Sequence, residues 1–590
     1  MIDVKTLLEK NLINETDYYY ALHFFDTREV QALSAIISAN TRAGHICTGV
    51  NGGILNEYEE LKSIFNKSTL EHIALNNTKY VGNPGEFKPI IFDGARFYLH
   101  RYYEYETFII DNVLTRSLMF KSRDEIALHI PEKEQNSSEI NYQDVAIFMG
   151  LRNNISFITG GPGTGKTTTV AKILHHNLIQ NDAMTFALTA PTGKAAARLK
   201  DSIISYFKGI DFYNPNVEAM TIHRLLGYSP FSHTFKYSRA HEKEHNPLLN
   251  DFDLIIVDEA SMIDISLMFH LLKALPLNTR IIFLGDKNQL ASVAPGSVFG
   301  DICDIAQPGC FTTDFAEDYR YFFNQKLPTS TTSTPLQNNI VELRKSYRYP
   351  EESNIAKLAT MTKNGETDKL QAFLSTHKNY GSDVKFFNFE GFHDLFKDTL
   401  LPHYKSLSTC LDLSDAFALL DKFQILTVTK QGKHSSSVLN RFILDKLRRT
   451  LQLPAFAEYF HGLPLLITRN DYINLLFNGD MGIIIIDSST KDFIAAFENQ
   501  DVGGYRYFNV RNIYGYDYAY CMTVHKSQGS EFENIFFILP EKPDYMTREL
   551  IYTAITRARN TVYIIGNTDN LLKGIEKKTV RSSGIKEKLS

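Results

Sequence analysis

Ser156-Phe-Ile-Thr-Gly160-Gly161-Pro162-Gly163-Thr164-Gly165-Lys166-Thr167 decides the fold. A short apolar run reads as a strand, a glycine-rich loop follows, and a helical pattern continues from Lys166 to about residue 179. The match to GxxxxGK[ST] in that setting predicts a phosphate-binding loop. Its glycines let main-chain N–H groups curl around phosphates, Lys166 neutralises the β/γ-phosphates, and the Thr167 hydroxyl ligates Mg²⁺. The expected ligand is ATP with Mg²⁺, cradled by Gly160, Gly161, Pro162, Gly163, Thr164, Gly165, Lys166 and Thr167.

Working outward, apolar strands recur at Met184–Leu188, Leu254–Val257 and Arg280–Leu284, alternating with helical patterns. That alternation predicts an α/β fold with a parallel sheet covered by helices. The strand Leu254–Val257 runs into Asp258 and Glu259. Asp258 stands where a Mg²⁺ shell needs a carboxylate, and Glu259 where an attacking water must be oriented or deprotonated. Gln289 follows the next strand, and its amide can both donate to and accept from a γ-phosphate's surroundings. Upstream, Gln143 lies on a lead-in helix, placed to read an adenine edge. Further on, Arg348 and Arg557 lie in a second α/β segment. A guanidinium from a facing domain stabilises phosphoryl transfer, although a lone arginine is more often a surface ion pair.

The length, 590 residues, exceeds what one core supports, so several domains are expected. A net charge of −5 excludes a globally polybasic binder, so any nucleic-acid site must be a local groove. Five cysteines without a CxxC pair give no disulfide framework, and the Cys303/Cys310 spacing does not suit zinc. No long apolar run suggests a membrane span or secretory signal, so a cytoplasmic protein with no membrane partner is expected. Residues 1–115 read as a mainly helical N-terminal domain. The stripe Tyr98, Tyr102, Tyr105 and Ile109 reads as core or interface, with base stacking the less favoured alternative. Residues 116–137 read as a linker and 327–338 as a flexible Ser/Thr/Pro loop. The span 463–514 reads as a small β-insertion, and 576–590 as a frayed basic tail.

The ordered tracts GGPGTGKTTT, TAPTGKAAARL, TIHRLLG, VDEASMID, LGDKNQLASVAPGSVFGDI, SYR, TVHKSQGSEF and YTAITRAR resemble superfamily 1 DNA helicases. More narrowly they are similar to the RecD family, the alpha subunits of exodeoxyribonuclease V. The resemblance covers about 140 to 570, and YLHRYYEYE before it also looks like that family. It implies two RecA-like P-loop NTPase lobes, 138–345 with a hairpin insertion near 228–248 and 346–575 with an SH3-like β-insertion. ATP would lie between the lobes, and the N-terminal domain would bind partners.

It further implies a 5′-to-3′ single-stranded DNA translocase and helicase acting on double-strand DNA ends. Its partners would be a RecB-like helicase–nuclease subunit, which would hold the nuclease site, and a RecC-like scaffold. A standalone helicase, or a mainly structural P-loop subunit, is the alternative. Asn288 and Ala294-Pro295 depart from the family pattern and bear on DNA coupling rather than on ATP.

By the same resemblance, Pro191, Thr192 and Lys194 contact DNA, although an ordinary capped helix would use the same residues. Two Thr-x-His-basic clusters, Thr221 with His223 and Arg224, and Thr523 with His525 and Lys526, are expected to grip phosphates without sequence preference. Gly529 and Glu531 are expected at the nucleotide cleft. Phe235 and Tyr237, on a hairpin arm, are candidates for a strand-separating pin, with a packed surface hairpin as the competing reading.

Overall fold

The P-loop strand, Ile155–Gly160, sits one place in from the edge of a six-stranded, wholly parallel sheet. In order, the strands are Ile340–Leu343, Ile155–Gly160, Arg280–Gly285, Leu254–Val257, Phe186–Ala190 and Glu218–Thr221. The structure is a computed structural model describing residues 3–49, 67–126, 139–212, 217–232, 234–239, 252–306, 309–330, 334–350, 352–376, 383–471, 473–487, 489–499 and 504–590. Successive strand residues serve opposite faces: Phe157, Val257 and Phe283 pack into one core, and Ile158, Ile256 and Leu284 into the other. A sheet buried on both faces needs the unbroken apolar runs seen in the sequence.

A second parallel sheet orders Val384–Phe387, Ala558–Ile565, Phe532–Ile538, Phe423–Thr427 and Cys521–Thr523. Between its strands Phe423–Thr427 and Cys521–Thr523 lies an antiparallel five-stranded sheet. It runs from Leu463–Ile467 to Tyr516–Tyr518, a few residues beyond the expected end at 514. The chain is thus an α/β protein with two parallel-sheet lobes.

Three expectations need correction. The N-terminal unit is not simply helical: its helices accompany a sheet of short strands, Thr48–Gly49, Arg96–Leu99, Ile90–Phe92 and Val81–Gly82. Tyr98 belongs to that sheet, while the helix carrying Tyr102, Tyr105 and Ile109 is His100–Ser117. Tyr102 and Ile109 are buried, and Tyr105 stacks on Phe269 of the first lobe with ring centres 4.2 Å apart, so the stripe is an interface rather than a base-stacking platform. The Ser/Thr/Pro tract is not a free loop over its described part, because Leu327, Leu336 and Gln337 are buried and Gln337 donates to the Cys310 carbonyl. Residues 331–333, and 127–137 of the expected linker, lie outside the described residues, while the linker's described start is structured, with Arg116 inside the helix His100–Ser117 and Ile126 buried.

The third correction concerns the tail, which is a strap. Arg581 donates from Nη1 to the Ala294 and Gly296 carbonyls at 2.9 and 2.8 Å, and from Nη2 to the Ser292 carbonyl at 2.5 Å. Ser582 N–H donates to His45 Nδ1 at 2.9 Å, and its carbonyl accepts the Ile46 N–H at 3.0 Å. His45 must be neutral to accept there, and burial together with the Arg581 charge pulls its pKa down to about 4. Ser583 donates to Asp301, and Lys588 of the helix Ile585–Leu589 pairs with buried Glu106 at 2.8 Å. Lysines and arginines that looked like solvated charge therefore stitch the second lobe's end to the first lobe and the N-terminal unit.

Arg116 anchors the N-terminal helix. Its fully buried guanidinium donates to the carbonyls of Leu275, Pro276, Leu277 and Thr279 at 2.7 to 3.1 Å, and to Asn112 and Asn154. These carbonyls follow the helix Ile265–Ala274, where main-chain acceptors lack intrahelical donors. Burial lowers the Arg116 pKa to about 10, so it stays charged at neutral pH. Arg116→Ala leaves four carbonyls without this donor, each worth ~1–3 kcal/mol when buried and unpaired. The expected loss in urea unfolding is at least about 3 kcal/mol, with partial recovery in Arg116→Lys.

Candidate functional site

The expected nucleotide residues converge on a cleft of about 680 Å³ between the lobes. The P-loop supplies one wall. Gly163 and Gly165 adopt left-handed backbone, φ 76° and 83°. A Cβ on Gly163 would collide with Arg348, and one on Gly165 with the Gln143 amide, so both positions require glycine. Gln143 Nε2 donates to the Thr164 carbonyl at 3.0 Å, and its amide therefore braces the loop. The Thr164 hydroxyl closes the loop on the Gly161 carbonyl at 2.8 Å. Lys166 Nζ folds back onto the Gly160 and Gly161 carbonyls at 2.6 and 3.1 Å, holding its charge beside the phosphate position.

Asp258 and Glu259 face Lys166 and Thr167 across the cleft. Glu259 has φ 51°, an uncommon conformation for a residue with a side chain and a form of strain that gathers at functional sites. Burial first, and the Glu259 charge second, push the Asp258 carboxyl up to about 7 despite the pull of Lys166. Asp258 Oδ1 accepts the Glu259 main-chain N–H at 2.8 Å, and Asp258 makes no ion pair among the described residues. A buried carboxylate held this far from its comfortable charge state fits a divalent cation, with the Thr167 hydroxyl as a second oxygen ligand.

The second lobe supplies the opposite wall. Arg557 Nη2 donates to Gln289 Oε1 across the cleft at 2.6 Å, and its Nη1 to the Ser530 carbonyl at 3.2 Å. Arg348 pairs with Glu531, whose other oxygen meets Arg559 at 3.5 Å. Burial works against the Glu531 charge, but Arg348, Arg198 and Arg557 outweigh it and hold the carboxyl below its usual range. Glu531 lines the cleft, whereas Gly529 does not. Gly529 lies beyond it against Thr192, and its carbonyl accepts Arg198 Nη1 of the first lobe at 2.8 Å.

That contact leads to a second hollow, a groove of about 580 Å³ between the first lobe and the β-insertion. Pro191, Thr192, Thr221 and His223 line it. Thr192 and Thr221 cap their helices, accepting from Ala195 and Arg224 N–H. Lys194 is not on the groove. Its amine lies between the lobes, 6.0 Å from the Phe532 ring. The Thr523, His525 and Lys526 cluster is also absent from the groove wall, and Lys526 is tied to Asp517 at 3.0 Å. Arg224, the basic member of the Thr221 cluster, also lines the groove, and so do Lys200, Phe477 and Arg506, which were missed. Lys200 stood one residue beyond a tract already singled out, but nothing local to Phe477 or Arg506 shows that the insertion folds over this face.

On the hairpin, Tyr228–Ser229 pairs with Thr234–Phe235. Phe235 packs against Tyr228, His223 and His270, and Tyr237 is tucked against Gly227, so neither presents a free ring. The exposed ring is Phe231 at the turn, 97% accessible. Residues 240–250 of the expected insertion lie outside the described residues.

Residues 143–295 match the AAA domain family, and 518–565 match the UvrD-like helicase C-terminal domain. RecBCD enzyme subunit RecD of Mycolicibacterium smegmatis is 30% identical over 84% of this chain and 82% of its own. The subunit of the same name from Buchnera aphidicola subsp. Schizaphis graminum is 28% identical over 97% and 99%. A solved Pif1 helicase from Bacteroides, in complex with ADP-AlF3 and ssDNA, aligns with 74% of this chain and 92% of its own at 16% identity, with a TM-score of 0.37.

The raised Asp258 pKa carries a pH signature. An unfolded aspartate titrates at about 3.9, so folding favours the protonated group. Its stabilisation is full below that value and is lost as pH rises through about 7. Asp258→Asn removes the cost of the buried charge. In nucleotide-free protein its thermal midpoint should exceed the parent's at pH 8, with the gap closing toward pH 5.5, read by scanning calorimetry.

Proposed function

The chain belongs to the RecD family, and we propose that it is an ATP-driven motor on single-stranded DNA within a helicase–nuclease complex acting at double-strand DNA ends. The chain is a superfamily 1 DNA helicase, so ATP hydrolysis and DNA movement are its reaction. The observation that carries the residue-level reading is the cleft itself: P-loop and paired acids on one wall, two arginines on the other, with Arg198–Gly529 joining it to the groove.

In this reading Lys166 and the P-loop N–H groups take the β/γ-phosphates of ATP. Mg²⁺, held by Thr167 and Asp258, would neutralise phosphate charge. Glu259 orients the attacking water and Gln289 senses the γ-phosphate. Arg348 and Arg557 stabilise the charge that develops on transfer. Arg348 would exchange its Glu531 partner for phosphate as it does so. Gly529 and Arg198 then relay lobe closure to Thr192 at the groove, where Pro191, Thr221, His223, Lys200 and Arg224 grip the DNA backbone. The antiparallel insertion serves as the SH3-like module that covers this strand. The N-terminal unit is the surface for the scaffold and helicase–nuclease partners, and travel runs 5′ to 3′.

Single-stranded DNA should stimulate ATP hydrolysis severalfold. Arg348→Ala or Arg557→Ala should lower kcat by on the order of 10³, and Lys166→Ala should abolish turnover. Hydrolysis indifferent to DNA would instead favour a structural subunit. Displacement of a strand from a 5′-tailed but not a 3′-tailed duplex checks the direction. Phe231→Ala should impair duplex unwinding while leaving DNA-stimulated hydrolysis intact; full unwinding by that variant removes the hairpin from strand separation.

A further inference from the structure

Tyr552 lies on the helix Arg548–Ile555 of the second lobe and is 5% exposed. Its hydroxyl reaches across the cleft and donates to Asp286 Oδ2 at 3.0 Å. The same oxygen accepts Gln289 Nε2 at 3.2 Å, while Oδ1 accepts the Asn288 main-chain N–H at 3.0 Å. Gln289 Oε1 in turn takes Arg557 Nη2 at 2.6 Å. Tyr552 and Arg557, from one lobe, thus close a circuit through Asp286 and Gln289 of the other. An amide held by a guanidinium at its oxygen and a carboxylate at its nitrogen has a single orientation, with one N–H left to offer.

We propose that Tyr552 is a positioning residue for ATP hydrolysis, orienting Asp286 and through it the Gln289 amide when the lobes are closed. The inference rests on the proposed role of Gln289 at the γ-phosphate. Tyr552 stands where it can report closure. A Cβ added to Gly161 of the P-loop would lie 2.9 Å from its hydroxyl, so the ring reaches the floor of the phosphate site. Burial raises the phenol pKa well above its ordinary value, and the group remains a donor at every working pH. The adjacent Thr553 hydroxyl accepts the Leu290 N–H at 3.0 Å, so the helix meets the residue after Gln289 as well. Opening the lobes withdraws the hydroxyl from Asp286 and frees the Gln289 amide. Hydrolysis is thereby confined to the closed state without Tyr552 touching ATP.

The test is DNA-stimulated ATPase kinetics of the full chain as parent, Tyr552→Phe, Gln289→Ala and the double variant. Tyr552→Phe should lower kcat roughly ten- to a hundredfold. The KM for ATP and the thermal midpoint should stay close to the parent's. The double variant should be no slower than Gln289→Ala alone, because the two changes act through one group. An unchanged kcat in Tyr552→Phe, or losses that multiply in the double variant, overturns the inference. Parent-like turnover by Gln289→Ala overturns both this inference and the reading it rests on. If Tyr552→Phe does not fold, Asp286→Ala breaks the same link, and parent-like kcat there is equally fatal.

Discussion

Charge buried at an interface between two moving bodies must be answered from the opposite side, and the interlobe cleft is organised around that constraint. Arg557 is 3% exposed and Gln289 6%, and each is completed by the other across the gap. Arg348 is completed by Glu531 and Arg198 by the Gly529 carbonyl. Removing water from such groups is costly unless partners replace it, so the closed arrangement is specific in register.

The legible parts of the sequence were those whose chemistry is local. The strand, loop and helix around Lys166 announce themselves because glycines, lysine and threonine must follow one another in the chain. The same is true of the apolar run into Asp258 and Glu259. The edge strands Glu218–Thr221 and Ile340–Leu343 were not legible. Each has one neighbour, and their short patterns carry polar residues that read as loop. The N-terminal sheet was missed for a similar reason, with strands of two to four residues and no sustained alternation. Long-range pairing was hardest. Arg116 fell at the start of the expected linker and Arg581 in the expected frayed tail, while their acceptors lie far away in sequence.

The groove shows both limits together. Thr192 and Thr221 were singled out from the family resemblance and the Thr-x-His pattern, and both cap helices at the groove. Lys194, one turn from a groove residue, points between the lobes instead. Helical spacing assigns a residue to a face, but which face meets the groove is set by the packing of the second lobe. Aromatic residues were ambiguous in the same way: Tyr105 and Phe235 became packing, and Phe231 became surface.

The strap around Arg581 has a mechanical meaning. Chain passes between the lobes near residues 344–350 and returns across them at 577–584, where it is pinned to the loop Ser292–Gly296 and to His45 and Ile46, just before the strand Thr48–Gly49. One tether permits swivel in any direction, whereas two separated tethers leave a single axis, as the two knuckles of a door hinge do. Two such tethers would confine any lobe motion to opening and closing about the line between them. Torque from a resisting DNA strand would load the strap in tension rather than twist Arg348 and Arg557 out of alignment with the phosphates.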